Sequence, residues 1–435
     1  MIKAFFIALL TASSVFGANL HYDLFKKEGA LSGDTLLVIG GIHGDEPGSY
    51  FAPMLLATSY TIKKGNLWVV PNLNFDSIVA YRRGIYGDMN RKFAHLDTSD
   101  PDYQTVTDVK KLITSEPVDM VLNLHDGHGY YRPQWESSIF NPSAWGQASI
   151  IDQKSVPGLK YGELDKIAQS VSKKLNNGYL EQNHHRFDVK NTNTEFKDEQ
   201  QQLSLTYFSI TNGKAAFAIE TSKNIQDLHI KVFYQLQAIE AYMNIMGIEF
   251  ERDFALDKDS IKAKIQNYGK VVLNDAIEFD LNEIKKVLYY VPLPNSGTTI
   301  KSDNPLVAFV PHKTVEGSIY KLNVGHKTIS YLYPDYFAVD ESLDKIVVQV
   351  DSTDREVSIP STFEYKKDFK IKAPEGYRIN VIGFTKVKGN QNNVLIKTSD
   401  ILRRFSLNKR QNAFRVEIYK DEKFVGMVIA KDVSD

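Results

Sequence analysis

At 435 residues the chain exceeds one ordinary hydrophobic core and calls for two to four domains. A hydrophobic content of 43% with 24% charged residues excludes extended disorder, and a formal net charge of -1 without a long Lys/Arg run excludes binding to nucleic acid by phosphate neutralisation. There are 0 cysteines, so disulfides, thiolate ligands and a cysteine nucleophile are all excluded, and a zinc site has to draw on His, Asp or Glu.

In chain order, MIKAFFIALLTASSVFGANL carries one lysine, an apolar stretch from Ala4 to about Leu10 and then small residues. This is the pattern of a secretory signal covering residues 1–17, too short in its apolar part for a spanning helix, and it implies export with removal of the signal. Leu36-Leu37-Val38-Ile39 reads as a buried strand and runs directly into GGIHGDEPGS, where His43 and Glu46 stand three positions apart among glycines. Such a turn either has no chemistry or points two metal-ligand side chains at one ion. A helix over 47–57 follows with Phe51, Met54 and Leu55 on one face, strained by Pro53. Asn66 to Val70 reads as a second strand, Tyr81 to Phe93 as a loop rich in cations (Arg82, Arg83, Arg91), and Val106, Val109, Leu112 and Ile113 mark the next helix.

Val118 to Leu124 is again strand-like and is followed at once by His125 in NLHDGHG. The aromatics of HDGHGYYRPQW, Tyr130, Tyr131 and Trp135, read as packing, and His184 and His185 as part of a polar loop. Leu164, Ile167, Ala168, Val171 and Leu175 form one helical face, AAFAIE ending at Glu220 is a strand, and Val232 to Met246 is a long helix closed by Gly247. Alternating strands and helices predict an α/β domain, 18–250, with a mixed, mainly parallel sheet flanked by helices. Beyond about Lys270 short alternating runs dominate and predict two small all-β domains, 251–338 and a sandwich-like 339–435.

In open α/β sheets ligands gather at the carboxyl ends of the strands, and His43, His125 and Glu220 all occupy such ends. A catalytic zinc takes three protein ligands, so we assign His43, Glu46 and His125 to the metal, with His128 as the alternative to His125. Glu220 stays off the metal because the hydrolytic step needs a carboxylate base beside it.

This ordered set resembles the zinc metallocarboxypeptidase superfamily. The resemblance covers about Asp34 to Gly247 and implies that zinc is held by His43, Glu46 and His125, that Arg83 polarises the scissile carbonyl, and that Asn90 and Arg91 hold the substrate's terminal carboxylate. It also implies that Glu220 is the general base and acid. Tyr207 is carried as a candidate substrate-binding tyrosine, although it lies nearer Glu220 than the digestive branch of the superfamily would have it. The short interval from Arg83 to Asn90 is similar to the succinylglutamate desuccinylase and aspartoacylase branch. With an export signal, no cysteine and two trailing β modules, the chain looks most similar to the cell-shape-determining peptidoglycan carboxypeptidases of helical Gram-negative bacteria. That resemblance implies removal of meso-diaminopimelate from the tripeptide stem of peptidoglycan, leaving a dipeptide. The competing readings are a zinc amidohydrolase for N-acylated amino acids and a non-catalytic wall-binding protein on the same fold.

Overall fold

The structure is a computed structural model and describes residues 20–178, 180, 185–295, 297–314 and 317–434. The expected signal segment and His184 lie outside the described residues. The first part of the chain runs β1 (Phe25–Glu28), β2 (Leu31–Ile39), α1 (Gly48–Ser59), β3 (Tyr60–Val70), α2 (Phe75–Ala80), α3 (Tyr103–Thr114) and β4 (Val118–Gly127). Two short strands, β5 (Tyr130–Tyr131) and β6 (Phe140–Asn141), pair with each other before β7 (Ala148–Ile151), α4 (Leu164–Asn176) and β8 (Asp188–Asn191). Then follow α5 (Thr194–Lys197), α6 (Leu205–Thr211), β9 (Ala215–Ser222), α7 (Leu228–Ile245), β10 (Glu249–Arg252) and α8 (Lys258–Gln266).

Eight strands form one mixed sheet, ordered β1-β3-β2-β4-β9-β7-β8 with β10 also on β3. Its centre, β3-β2-β4-β9, is parallel, and the apolar runs Leu36–Ile39, Val121–Leu122 and Ala215–Phe217 are fully buried, as a sheet covered on both faces requires. Helices α1, α4, α7 and α8 pack on one another, while α3 and α6 lie against β4. Pro53 sits inside α1 without ending it. Its missing N–H leaves the Ser49 carbonyl free of a helical partner, and the Gly40 backbone packs there so closely that a Cβ would meet the Ser49 oxygen at 2.0 Å. The α/β layers continue past residue 250: β10 pairs with β3, and α8 packs on α7 and α1.

Downstream, a three-stranded sheet (Lys270–Leu273, Ile277–Asp280, Ile300–Lys301) and a four-stranded one (Val287–Pro294, Val307–Thr314, Gly317–Val324, Lys327–Phe337) share a core with the α/β layers. The last sheets, of three and four strands, enclose a separate core including Val348, Phe369, Ile379, Phe414 and Val428, which is the arrangement of a sandwich. Strand Ala413–Lys420 is buried on both faces because Phe414, Val416 and Ile418 enter this core while Ala413 and Tyr419 belong to the other one.

Candidate metal centre and active site

After Ile39 the chain crosses the sheet edge in the loop that carries His43 and Glu46. Gly44 donates its N–H to the Arg82 carbonyl at 2.9 Å, and a Cβ at Gly44 would lie 1.9 Å from the Ser77 carbonyl oxygen. Only glycine lets the loop lie this close to α2, which is how the two side chains are turned inward. On β4, Asn123, His125 and Gly127 share one face by the two-residue period of a strand. The parallel register of β4 with β9 sets His125 beside Glu220 and Asn123 beside Ala218. Gly127 leaves the room: a Cβ there would stand 2.8 Å from the Glu220 Oε2.

The result is a buried cluster of His43, Glu46 and His125, the candidate metal set among the described residues, with ligand atoms within 4.8 Å of one another. His43 Nδ1 lies 3.1 Å from Glu46 Oε1, His125 Nδ1 lies 3.0 Å from Glu46 Oε2, and the two Nδ1 atoms are 3.2 Å apart. Two imidazole nitrogens and a carboxylate oxygen converging at a buried point fit a divalent cation, and this donor set suits a catalytic rather than a structural site. A cleft of about 290 Å³ opens over the cluster, lined also by Arg83, Asn90, Arg91, His128, Trp145 and Glu220.

The charges are unevenly held. Burial works to raise the Glu46 carboxyl, but the charge on His43 and hydrogen bonds from both imidazoles hold it well below the usual range. Burial likewise disfavours a charged His43, yet Glu46 and the Asp88 hydrogen bond raise its pKa to about 9. Burial lowers His125. Glu220 is raised well above the ordinary carboxyl, first by burial and then by the negative charge of Glu46. Its Oε2 is buried without a hydrogen-bond partner, an unsatisfied polar atom of the kind that marks a functional group rather than a structural one.

Arg83 donates to Glu46 Oε1 at 3.2 Å and, through Nε, to Asp88 Oδ2 at 2.9 Å. Asn90 is buried, its Oδ1 accepting from the Leu205 N–H at 3.0 Å, and Arg91 donates to the Asn90 carbonyl at 3.0 Å. Tyr207 is the candidate that the structure does not bring to the cleft. It lies half-buried on α6, and the phase of that helix turns its neighbour Thr206 to the cleft wall instead. His128 lines the cleft but is exposed and stands outside the buried cluster. His185, expected on a polar loop, is buried with Nδ1 2.9 Å from the Tyr234 hydroxyl.

Sequence reasoning overlooked Asp88. One of its oxygens takes His43 Nε2 at 2.8 Å and the Asn90 N–H at 2.9 Å, and the other takes Arg83. Its position just before Asn90-Arg91 was the available signal. Asp126 received no role either. Its carboxylate accepts from the Gly48 N–H and the Thr221 hydroxyl and faces Lys231 at 3.6 Å, while its own N–H donates to Glu46 Oε2 at 3.1 Å.

Residues 19–266 match the family model described as the catalytic domain of the carboxypeptidase controlling helical cell shape. The chain belongs to that family. Residues 339–432 match the C-terminal domain of metallo-carboxypeptidase, and as a cell-shape carboxypeptidase the chain is a metallopeptidase whose cleft holds a His-Glu-His cluster suited to a metal ion. Among solved structures, apo Csd4 of Helicobacter pylori, a cell shape determinant, is 37% identical over 95% of this chain and 100% of its own, with a TM-score of 0.90. The tripeptide-bound form of the same protein is 37% identical over 95% and 100%, with a TM-score of 0.89. Its mDAP-bound form, described as a D,L-carboxypeptidase, is 37% identical over 94% and 100%, with a TM-score of 0.89. The comparison with curated proteins gives no match. No helix among the described residues is long and apolar enough to cross a membrane.

Proposed function

We propose that this cell-shape carboxypeptidase is a zinc enzyme of the periplasm that removes the terminal meso-diaminopimelate from peptidoglycan tripeptide stems. The observation that carries the reading is one cleft holding a buried His43, Glu46 and His125 cluster beside a buried Glu220 carboxyl with an unpaired oxygen. Full-length likeness to a protein solved with a tripeptide and with mDAP supports the substrate class, and the apolar, small-residue leader supports export. The expected limit of the α/β domain at residue 250 is moved to about 266, because β10 and α8 continue its layers, and the limit near 338 is kept; the family matches over 19–266 and 339–432 support these bounds.

In this reading His43, Glu46 and His125 hold the zinc, which when bound supplies Lewis acidity to the scissile carbonyl and makes water easier to deprotonate. Glu220 takes the proton of the attacking water and returns it to the leaving nitrogen, and the burial that raises its pKa favours its taking up that proton. Arg83, half-exposed at the cleft and anchored on Asp88, donates to the carbonyl oxygen as charge builds there. Asn90 and Arg91 grip the terminal carboxylate, which selects a chain end over an internal bond. Tyr207 has no part in these steps. Glu220→Gln keeps the shape of the side chain and removes the base. The zinc-loaded variant is expected to bind metal at wild-type stoichiometry and to lose release of diaminopimelate from purified tripeptide muropeptides, read by mass analysis. Undiminished release would refute the mechanism, and release of an acyl group from N-acylated amino acids alone would refute the substrate.

A further inference from the structure

The catalytic cleft makes no use of an aromatic and cationic surface on the four-stranded sheet of the second module. There strand Val287–Pro294 pairs in parallel with Lys327–Phe337, and the register slips between Leu288 and Val291, which inserts one extra residue. Tyr290 in this bulge has a φ of 55°, a left-handed backbone that a bulky side chain rarely adopts. The neighbouring structure holds it so: buried Arg415 donates to the Tyr290 carbonyl at 2.8 Å. No packing gain offsets the strain, because Tyr289 and Tyr290 are 56% and 72% exposed. The Tyr289 ring lies 4.7 Å from that of Tyr333 and 6.4 Å from that of Tyr290, so the bulge displays a ledge of three tyrosines. The bulge gives buried Arg415 an acceptor and at the same time fixes two exposed rings, and rings held out by a strained backbone suit recognition.

Beside the ledge is a cleft of about 230 Å³ whose walls include Lys285, Val287, Arg404 and Phe405, with no acidic residue in its lining. Lys285 donates to the Arg404 carbonyl at 3.2 Å, Lys286 to the Thr328 carbonyl, and the Arg404 guanidinium lies 5.0 Å from the Phe405 ring. None of the three forms an ion pair among the described residues. In a chain of net charge -1 such an acid-free group of cations is a local feature, and it fits an anionic partner. Flat amphipathic rings favour a partner with an apolar face and polar edges, and a sugar polymer with pendant carboxylates offers both. Its pyranose faces would stack on the tyrosines, and its carboxylates would pair with Lys285 and Arg404.

We propose that this ledge is a second, non-catalytic binding surface for the glycan strands and pendant carboxylates of peptidoglycan. The choice of polymer rests on the proposed substrate. The surface is joined to the active site through its own sheet, since His326, in the turn after Gly317–Val324, has Nδ1 2.7 Å from the Tyr50 hydroxyl and its ring 4.5 Å from that of Tyr81, two residues before Arg83. From His326 the strand runs seven residues to Tyr333, about 23 Å at the usual rise. A polymer held on the ledge therefore keeps its stem peptides at a raised local concentration near the cleft.

The test uses the full-length, zinc-loaded Glu220→Gln protein, which leaves the wall uncut, in co-sedimentation with purified sacculi. Adding Tyr289→Ala and Arg404→Glu is expected to weaken sedimentation at least ten-fold. The same two substitutions in the active enzyme are expected to leave kcat/KM on soluble tripeptide within two-fold. Tyr290→Gly is a second variant, expected to melt higher, because the backbone strain is relieved, and yet to sediment less. The proposal is overturned if Glu220→Gln protein does not sediment, if the substitutions leave sedimentation unchanged, or if duplex DNA or anionic vesicles bind as tightly as sacculi and respond to the same substitutions. An enzyme inactive on tripeptide that still sediments through Tyr289 and Arg404 would refute the proposed substrate and leave this surface standing.

Discussion

Asp88→Asn tests how one carboxylate organises the cleft. One Asp88 oxygen serves His43 Nε2 at 2.8 Å and the Asn90 N–H at 2.9 Å, and the other takes the Nε and a terminal nitrogen of Arg83, both at 2.9 Å. These interactions hold its own carboxyl well below the usual range, although burial works the other way. Asparagine keeps the shape and one acceptor oxygen, but its other atom becomes an NH2 facing a guanidinium. If the oxygen stays with His43 and Asn90, Arg83 loses two charge-assisted bonds. With 48% of the Arg83 side chain exposed, solvent screening limits that loss to about 1–2 kcal/mol, or roughly 5- to 30-fold in kcat/KM. The carboxylate also makes the His43 ring a better donor, and loss of such a partner weakens metal binding by about 10- to 100-fold, equal to roughly 1.4–2.7 kcal/mol. Competition with a chelator reads the metal affinity, and kcat/KM on tripeptide at saturating metal isolates the effect through Arg83. Both values within two-fold of wild type would show that Asp88 organises neither group.

Gly44→Ala drives a Cβ to 1.9 Å from the Ser77 carbonyl oxygen, a backbone atom that has no rotamer to yield. A loss of at least ~3 kcal/mol in urea unfolding is expected, together with reduced metal content, and a normal midpoint would mean that the loop has freedom the structure does not show. Burial pushes Asp152 up to about 6 against hydrogen bonds from Thr194 and Thr206. An acid raised in the folded state binds its proton more tightly there, so stability is greatest below the ordinary value of 3.8 and falls as pH rises through about 6. The rise corresponds to on the order of 3 kcal/mol, and Asp152→Asn should recover about 1–3 kcal/mol at pH 7.5 and about a third as much at pH 4.5. An unaltered pH slope of unfolding in the variant would count against this. Removing the metal ion with a chelator should lower the melting temperature by several degrees, because a ligand at 100 times its Kd stabilises the folded state by about 2.7 kcal/mol. The His43→Ala/His125→Ala protein should melt at the same temperature with and without chelator.

The glycine-wrapped His43 and Glu46, His125 at the end of an apolar run and Glu220 closing AAFAIE are local patterns, and each could be read without knowing which strands are neighbours. The meeting of these groups is non-local. It depends on β4 and β9 aligning so that His125 stands beside Glu220, and a shift of one residue would turn one of the pair to the opposite face. Thr206 rather than Tyr207 faces the cleft because the start of α6 sets the phase of a short helix, which composition does not reveal. His185 read as polar loop because its neighbours are polar, and it is buried because Tyr234 on α7 arrives from 49 positions away to satisfy it. The bulge at Tyr289-Tyr290 escaped notice for a similar reason: a parallel pairing with residues some forty positions downstream creates it.

By itself the chain determined which side chains could do chemistry and the kind of element that carries each, since periodicity and turn residues act over a few neighbours. Only the tertiary structure decided which of them meet, that Asp88 ties His43, Arg83 and Asn90 together, and that Glu220 retains an unpaired oxygen. Those outcomes depend on strand register and on burial, both set by contacts between residues far apart along the chain.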